Sequence, residues 1–168
     1  CPPTDGMVYF PTTMHDISMI ECDCEGVIFA ESTDMSGADM SGTSFKHAVM
    51  QKVNLSHANL LNASLEGCLC DEGKFNYADL SNTDISGAAF GDVELNYATL
   101  TDVSLNNVKN NDLRNTTMIG ATIKNSDLSG TLWEGSAEGA TFIDLSFNKC
   151  DFALCGSLDL SGATFTNV

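Results

Sequence analysis

Seven cysteines, three histidines and 23 acidic residues are the groups in this 168-residue chain that could supply nucleophiles, metal ligands or acid–base catalysts. Cys22-x-Cys24 and Cys68-x-Cys70 are the spacings that first raise zinc or a disulfide. A tetrahedral zinc site needs four converging ligands, and two C-x-C pairs so far apart along the chain do not supply them. His15, His47 and His57 have no Ser, Cys or carboxylate partner at a catalytic spacing. No HExxH, EF-hand loop or Gly-rich phosphate loop is present, nor the glycine–aspartate nonapeptide that holds calcium in some β-helices. Asn54-Leu55-Ser56, Asn62-Ala63-Ser64 and Asn115-Thr116-Thr117 match glycosylation sequons, which a chain rich in Asn, Ser and Thr produces by composition alone. The expectation is no enzyme, no cofactor and no metal.

Charge narrows the partners. Seven Lys+Arg against 23 Asp+Glu give a net charge of -16 and a pI near 4.1. Phosphate contacts need a cationic footprint, so direct binding to nucleic acid or to an anionic membrane is excluded. Hydrophobic residues are 43% of the chain, enough for a core. No apolar run approaches the roughly 20 residues of a membrane-spanning helix.

The elements that must position all this are repeats of five. Every fifth residue from Met35 to Leu105 is large and apolar, or Cys, and the residue two before each is small or β-branched. Period five fits neither a helix nor a long alternating strand. It fits a short extended segment with two inward residues, followed by a corner, because residues two apart on an extended chain point the same way. Four such sides close a square coil of about 20 residues, and coils stack about 4.8 Å apart through backbone hydrogen bonds. Ala38, Ala58, Ala78 and Ala98, beside Met40, Leu60, Leu80 and Leu100, repeat at twenty and form one interior column.

Ala38-Asp39-Met40-Ser41-Gly42, Ala58-Asn59-Leu60, Ala78-Asp79-Leu80-Ser81-Asn82 and Ala163-Thr164-Phe165 resemble the A(D/N)LXX signature of pentapeptide-repeat proteins. The resemblance implies an all-β fold, a right-handed quadrilateral parallel β-helix of about seven coils over residues 17–168. It also implies a functional alternative: some bacterial members are acidic rods that imitate B-DNA and bind DNA gyrase. Those members look dimeric through a C-terminal apolar helix, which nothing after Phe165 can form.

Sorted by side of the square, the outward residues differ. The side holding Ile28, Val49, Leu69, Ala89, Asp112 and Leu132 is apolar outside, apart from Asp112, while the other three sides are polar. A flat apolar stripe of this kind either meets a protein partner or second copy of the chain, or is covered by flanking loops or the N-terminal segment. His57, Tyr77 and Tyr97 fall at one corner, twenty apart, and either anchor a partner or pack on one another. Glu72, Asp92 and Asp112 are expected to align along or near an acidic edge.

The register slips by one residue before Met35 and is interrupted three times later, which predicts corner insertions near 106–111, 134–139 and 155–158. These are binding loops or tolerated bulges. Residues 1–16 lack the repeat and are expected to cap the first coil. The last coil stays in register to Phe165, which implies an end-to-end dimer or a longer natural protein. Cys22, Cys24, Cys68, Cys70 and Cys150 fall on inward registers and are expected to be unpaired fillers. Unpaired interior thiols favour a reducing compartment, hence the cytoplasm. Cys1 fits a disulfide partner or a lipoprotein's first residue equally well. The reading is a rigid acidic rod that binds a protein partner or itself. The DNA mimic is one alternative; a secreted bacterial effector is another, through the Ser18–Cys24 stretch, which is similar to segments of secreted pentapeptide effectors.

Overall fold

The structure, a computed structural model, describes residues 12–103, 112–124, 132–145, 158–159, 161–162 and 164–166. The chain winds as a four-sided parallel coil. Asp39 pairs with Asn59, Asn59 with Asp79 and Asp79 with Thr99, each one turn of twenty residues on. The same step joins Ser44, Ser64 and Asp84, Val49, Leu69 and Ala89, and Asn54, Lys74 and Glu94, one set for each side of the square. Leu60, Leu80 and Leu100 therefore lie above one another, each 0% exposed, beside Ala58, Ala78 and Ala98 at 1%. Only narrow residues in every coil let identical layers share one cross-section.

Each corner is a four-residue turn. Thr43 N donates to Met40 O at 3.1 Å, Ala58 N to Leu55 O at 3.1 Å and Ala78 N to Phe75 O at 3.1 Å. The third residue takes positive φ, as a type II turn requires, whether it is Gly42 (φ 68°), Lys52 (φ 59°), Asn62 (φ 60°) or Tyr77 (φ 61°). Asp or Asn ahead of the large inward residue has its own reason. Asp34, Asp39 and Asp79 each accept, on Oδ1, the N–H two residues on, at 3.1, 3.2 and 3.0 Å. The side chain thus starts the turn that the backbone completes.

Past Leu95 the rungs lengthen into strands: β1 (Thr99–Thr101), β2 (Asp112–Thr117), β3 (Thr122–Lys124), β4 (Leu132–Ser136), β5 (Thr141–Ile143), β6 (Leu158–Asp159) and β7 (Thr164–Thr166). They form two parallel sheets, β1-β3-β5-β7 and β2-β4-β6.

Three boundaries expected from the sequence change. Thr13 pairs with Asp34 and Met14 N donates to Asp34 O, so the coil is already under way inside the segment expected to be cap, 1–16. The signal was there: Met14 lies five residues before Met19. The register carries three extra residues where Glu94 pairs with Thr117, in keeping with an insertion after Asp102, although 106–111 itself lies outside the described residues. No insertion exists at 134–139. Thr117 pairs with Ser136 and Thr122 with Thr141, a turn one residue short, with the shift falling between Leu113 and Thr116. Ala137 occupies the large inward position there, and counting only large residues hid that repeat. Three extra residues return between Ser136 and Asp159, but Leu158 is in β6 rather than in a loop; 155–157 lie outside the described residues.

The cysteines also differ from expectation. Cys68 and Cys70 form a disulfide with Cα atoms 5.9 Å apart, and Cys22 is disulfide-bonded as well. Two inward residues separated by one are side-chain neighbours on the same wall, which is what brings the Cys68 and Cys70 sulfurs together. Cys24 is the free, buried one among the described residues. The case for a reducing compartment rested on unpaired thiols and loses its support, since disulfides persist in oxidising compartments. Cys1, Cys150 and Cys155 lie outside the described residues.

Candidate functional site

Two surface columns stand out from the ordinary polar sides. On the first, Ile28 pairs with Val49, Val49 with Leu69 and Leu69 with Ala89, stacking their side chains along one outer wall. Ile28, Val49 and Leu69 are half-buried. Ala89 is only 5% exposed and so contributes floor rather than contact. Asp112 pairs with Leu132 in the β2–β4 sheet. The paired apolar stretch among the described residues is Ile28 to Ala89. The Cys68–Cys70 disulfide closes directly behind Leu69, the residue between them, and pins the backbone of the stripe's centre.

The second column is aromatic. His57 stacks on Tyr77 with ring centroids 4.8 Å apart and planes at 1°, and Tyr77 on Tyr97 at 4.9 Å and 14°. Tyr77 is 54% and Tyr97 52% exposed. The coil rise sets the spacing, and the side chains one residue earlier hold the corner: Asn96 N donates to Asn76 Oδ1 and Ile119 N to Asn96 Oδ1, both at 3.0 Å. The alternatives of packing and partner contact are thus not exclusive; the rings pack face to face while their edges remain in solvent.

The acidic edge holds only in part. Glu72 and Asp92 occupy the same corner in successive coils, both with positive φ. Asp112 sits mid-side in β2 instead, because the insertion before it moves the corner further along the chain. Lysines break up the negative charge: Lys52 lies 3.5 Å from Glu31 and 3.9 Å from Glu72, and Lys74 lies 4.0 Å from Glu94. Ser32, Lys52, Glu72, Lys74, Asp92 and Glu94 line an open groove of about 600 Å³ of mixed sign.

Among the described residues, no group of three His, Cys, Asp or Glu is placed to hold a metal ion. Among the same residues there is no helix long and apolar enough to cross a membrane. The sequence reading missed the disulfides, although the adjacent inward positions of Cys68-x-Cys70 were an available signal for that one.

No curated protein matches the chain. Solved structures similar to it include HetL, a pentapeptide repeat protein involved in heterocyst differentiation regulation from the cyanobacterium Nostoc (20% identity, 90% of this chain and 71% of that chain, TM-score 0.38). Full-length QnrB1, a plasmid-mediated fluoroquinolone resistance protein, is also similar (17% identity, 88% and 81%, TM-score 0.46). A third is a pentapeptide repeat protein from the Arabidopsis thaliana thylakoid lumen (24% identity, 79% and 69%, TM-score 0.31). Residues 33–69 and 74–109 match the family model for pentapeptide repeats in eight copies. With the five-residue sides, type II corners and twenty-residue coils in place, residues 33–69 and 74–109 of the chain are pentapeptide repeats.

Proposed function

We propose that this protein is a non-catalytic interaction module, a rigid rod that presents the Ile28–Val49–Leu69 wall to a protein partner or to a second copy of itself. The observation that carries the reading is that one outer wall of four is apolar over four successive coils. Soluble surfaces normally avoid contiguous apolar patches unless they are used. The filled interior supports the absence of catalysis, since a lumen packed by Phe45, Phe75, Phe90 and their neighbours leaves no pocket for a substrate there.

Leu69→Asp tests it. Asp occupies the equivalent mid-side position at 39, 79 and 84, so the backbone accepts it. Light scattering and partner capture should show self-association or binding weakened by about tenfold or more, as for a central interface residue. Unchanged association with the variant would sink the reading.

The alternative, a DNA mimic that binds gyrase, is favoured by the net charge of -16. The lysines paired along the Glu72–Asp92 corner weigh against it. A gyrase supercoiling assay separates the two: inhibition or protection at micromolar protein selects the mimic. The bonded cysteines support an oxidising compartment in place of the cytoplasm, which mass analysis of alkylated native protein checks.

A further inference from the structure

The apolar wall is bordered on both long edges by the same order of charges. On one edge Lys46 lies 2.7 Å from Glu66. Glu25 stands on the other side of Lys46, one coil away, since the neighbouring Gly26 N donates to Lys46 O. On the opposite edge Lys52 lies 3.5 Å from Glu31 and 3.9 Å from Glu72. Both edges therefore read acid, base, acid from the coil of Ile28 to the coil of Leu69. Along the wall itself Ile28, Val49 and Leu69 are bulky and half-buried, and the next coil drops to Ala89, 5% exposed.

From this pattern we propose that the wall is occupied by a second copy of the chain, packed face to face and antiparallel about a two-fold axis between Val49 and Leu69. Two identical flat faces meet with the axis in the contact plane, running either along the rods or across them. An axis along the rods sets each edge against the opposite edge at the same level. Lys46 then faces Lys52, Glu66 faces Glu72 and Glu25 faces Glu31, all of like sign, and Ile28 abuts Ile28. An axis across the rods sets each edge against itself, reversed. Lys46 of one copy then meets Glu66 of the other, and Lys52 meets Glu72. Val49 packs on Leu69, and bulky Ile28 fills the hollow over Ala89. Glu31 with Asp92 is a like-signed pair at the end of this contact, where water screens it. At physiological salt, charges more than about 8 Å apart are screened. The pattern beside the wall therefore counts for more than the net charge of -16. Edge pairs of this kind select orientation more than they add affinity. Four coils make a contact only about 20 Å long, short of the roughly 800 Å² per partner of a standard complex. The dimer is accordingly weak and forms at high micromolar concentration. This inference rests on the reading of the rod as an interaction module and names which occupant takes its apolar wall.

Sedimentation velocity on the full chain at physiological salt, from about 10 to about 500 μM, follows the dimer as it forms. Lys46→Glu makes one edge acidic on both sides of the axis, and Glu66→Lys makes it basic there. Each variant alone should dimerise about five- to tenfold more weakly than the parent. An equimolar mixture of the two should regain the parent affinity, because the antiparallel pair lays the acidic edge of one on the basic edge of the other. In a parallel pair the mixture gains nothing over either variant alone. Thermal melts confirm that both variants fold. A parent chain that stays monomeric throughout, or a mixture no tighter than its components, overturns the proposal. The apolar-wall reading fails separately, on association or partner capture that Leu69→Asp leaves unchanged.

Discussion

Asn54 donates its side-chain amide to the Asp34 carboxylate one coil away, Nδ2 to Oδ1 at 2.9 Å. The same carboxylate accepts hydrogen bonds from Ser36, which contribute most to holding its pKa below the usual 3.8; charge from His15 and the Asn54 bond add less. A carboxyl group whose pKa is lowered on folding stabilises the fold above the unfolded pKa, and that contribution is lost as pH falls through the folded value. Stability measured by unfolding from pH 5 to pH 2 should therefore fall below about pH 3.8 more steeply in the parent chain than in Asp34→Asn. Parallel curves would show that Asp34 is not linked to folding.

Leu80 is 0% exposed in the centre of its column. Leu80→Ala should cost about 3–5 kcal/mol, because the stacked coils above and below cannot collapse into the space. Denaturant titration reads this directly, and a loss below 1 kcal/mol would contradict a closely packed lumen.

Ser32 occupies a corner at φ 61°. Ser32→Gly should raise stability by about 0.5–1 kcal/mol, since glycine reaches left-handed backbone without the Cβ penalty, offset in part by its greater unfolded-state entropy. A fall in the unfolding midpoint would mean that the hydroxyl outweighs the backbone strain.

The Cys24 thiol is pushed up to about 11, chiefly by burial. It stays protonated at neutral pH and is shut away from reagents, so iodoacetamide should label it more than about tenfold faster in denaturant than in the folded protein. Equal rates would place it at the surface.

The Cys68–Cys70 bond closes a loop of only three residues, so it removes little unfolded-state entropy. Replacing both by Ser should cost more through two buried hydroxyls than through the lost link. Replacing both by Ala should cost about 1–3 kcal/mol. If the Ala pair unfolds the chain altogether, the bond matters well beyond loop closure.

The chain's own letters were enough for the coil. A large residue every fifth place, a small one two before it and Asp or Asn between them leave one way to bury the apolar set, and the column at Ile28, Val49 and Leu69 follows by counting twenties with the one-residue slip before Met35 added. Counting failed where a small residue took a large residue's place, at Ala137, because burial there is set by the neighbouring coils and not by the residue's size. It failed again at Asp112, where an upstream insertion shifted which residue meets the corner. Contacts between coils were less legible. The tilt that lays Tyr97 over Gly120 depends on how successive coils lean on one another. Composition and periodicity fix which way a side chain faces; only stacked coils decide what it touches.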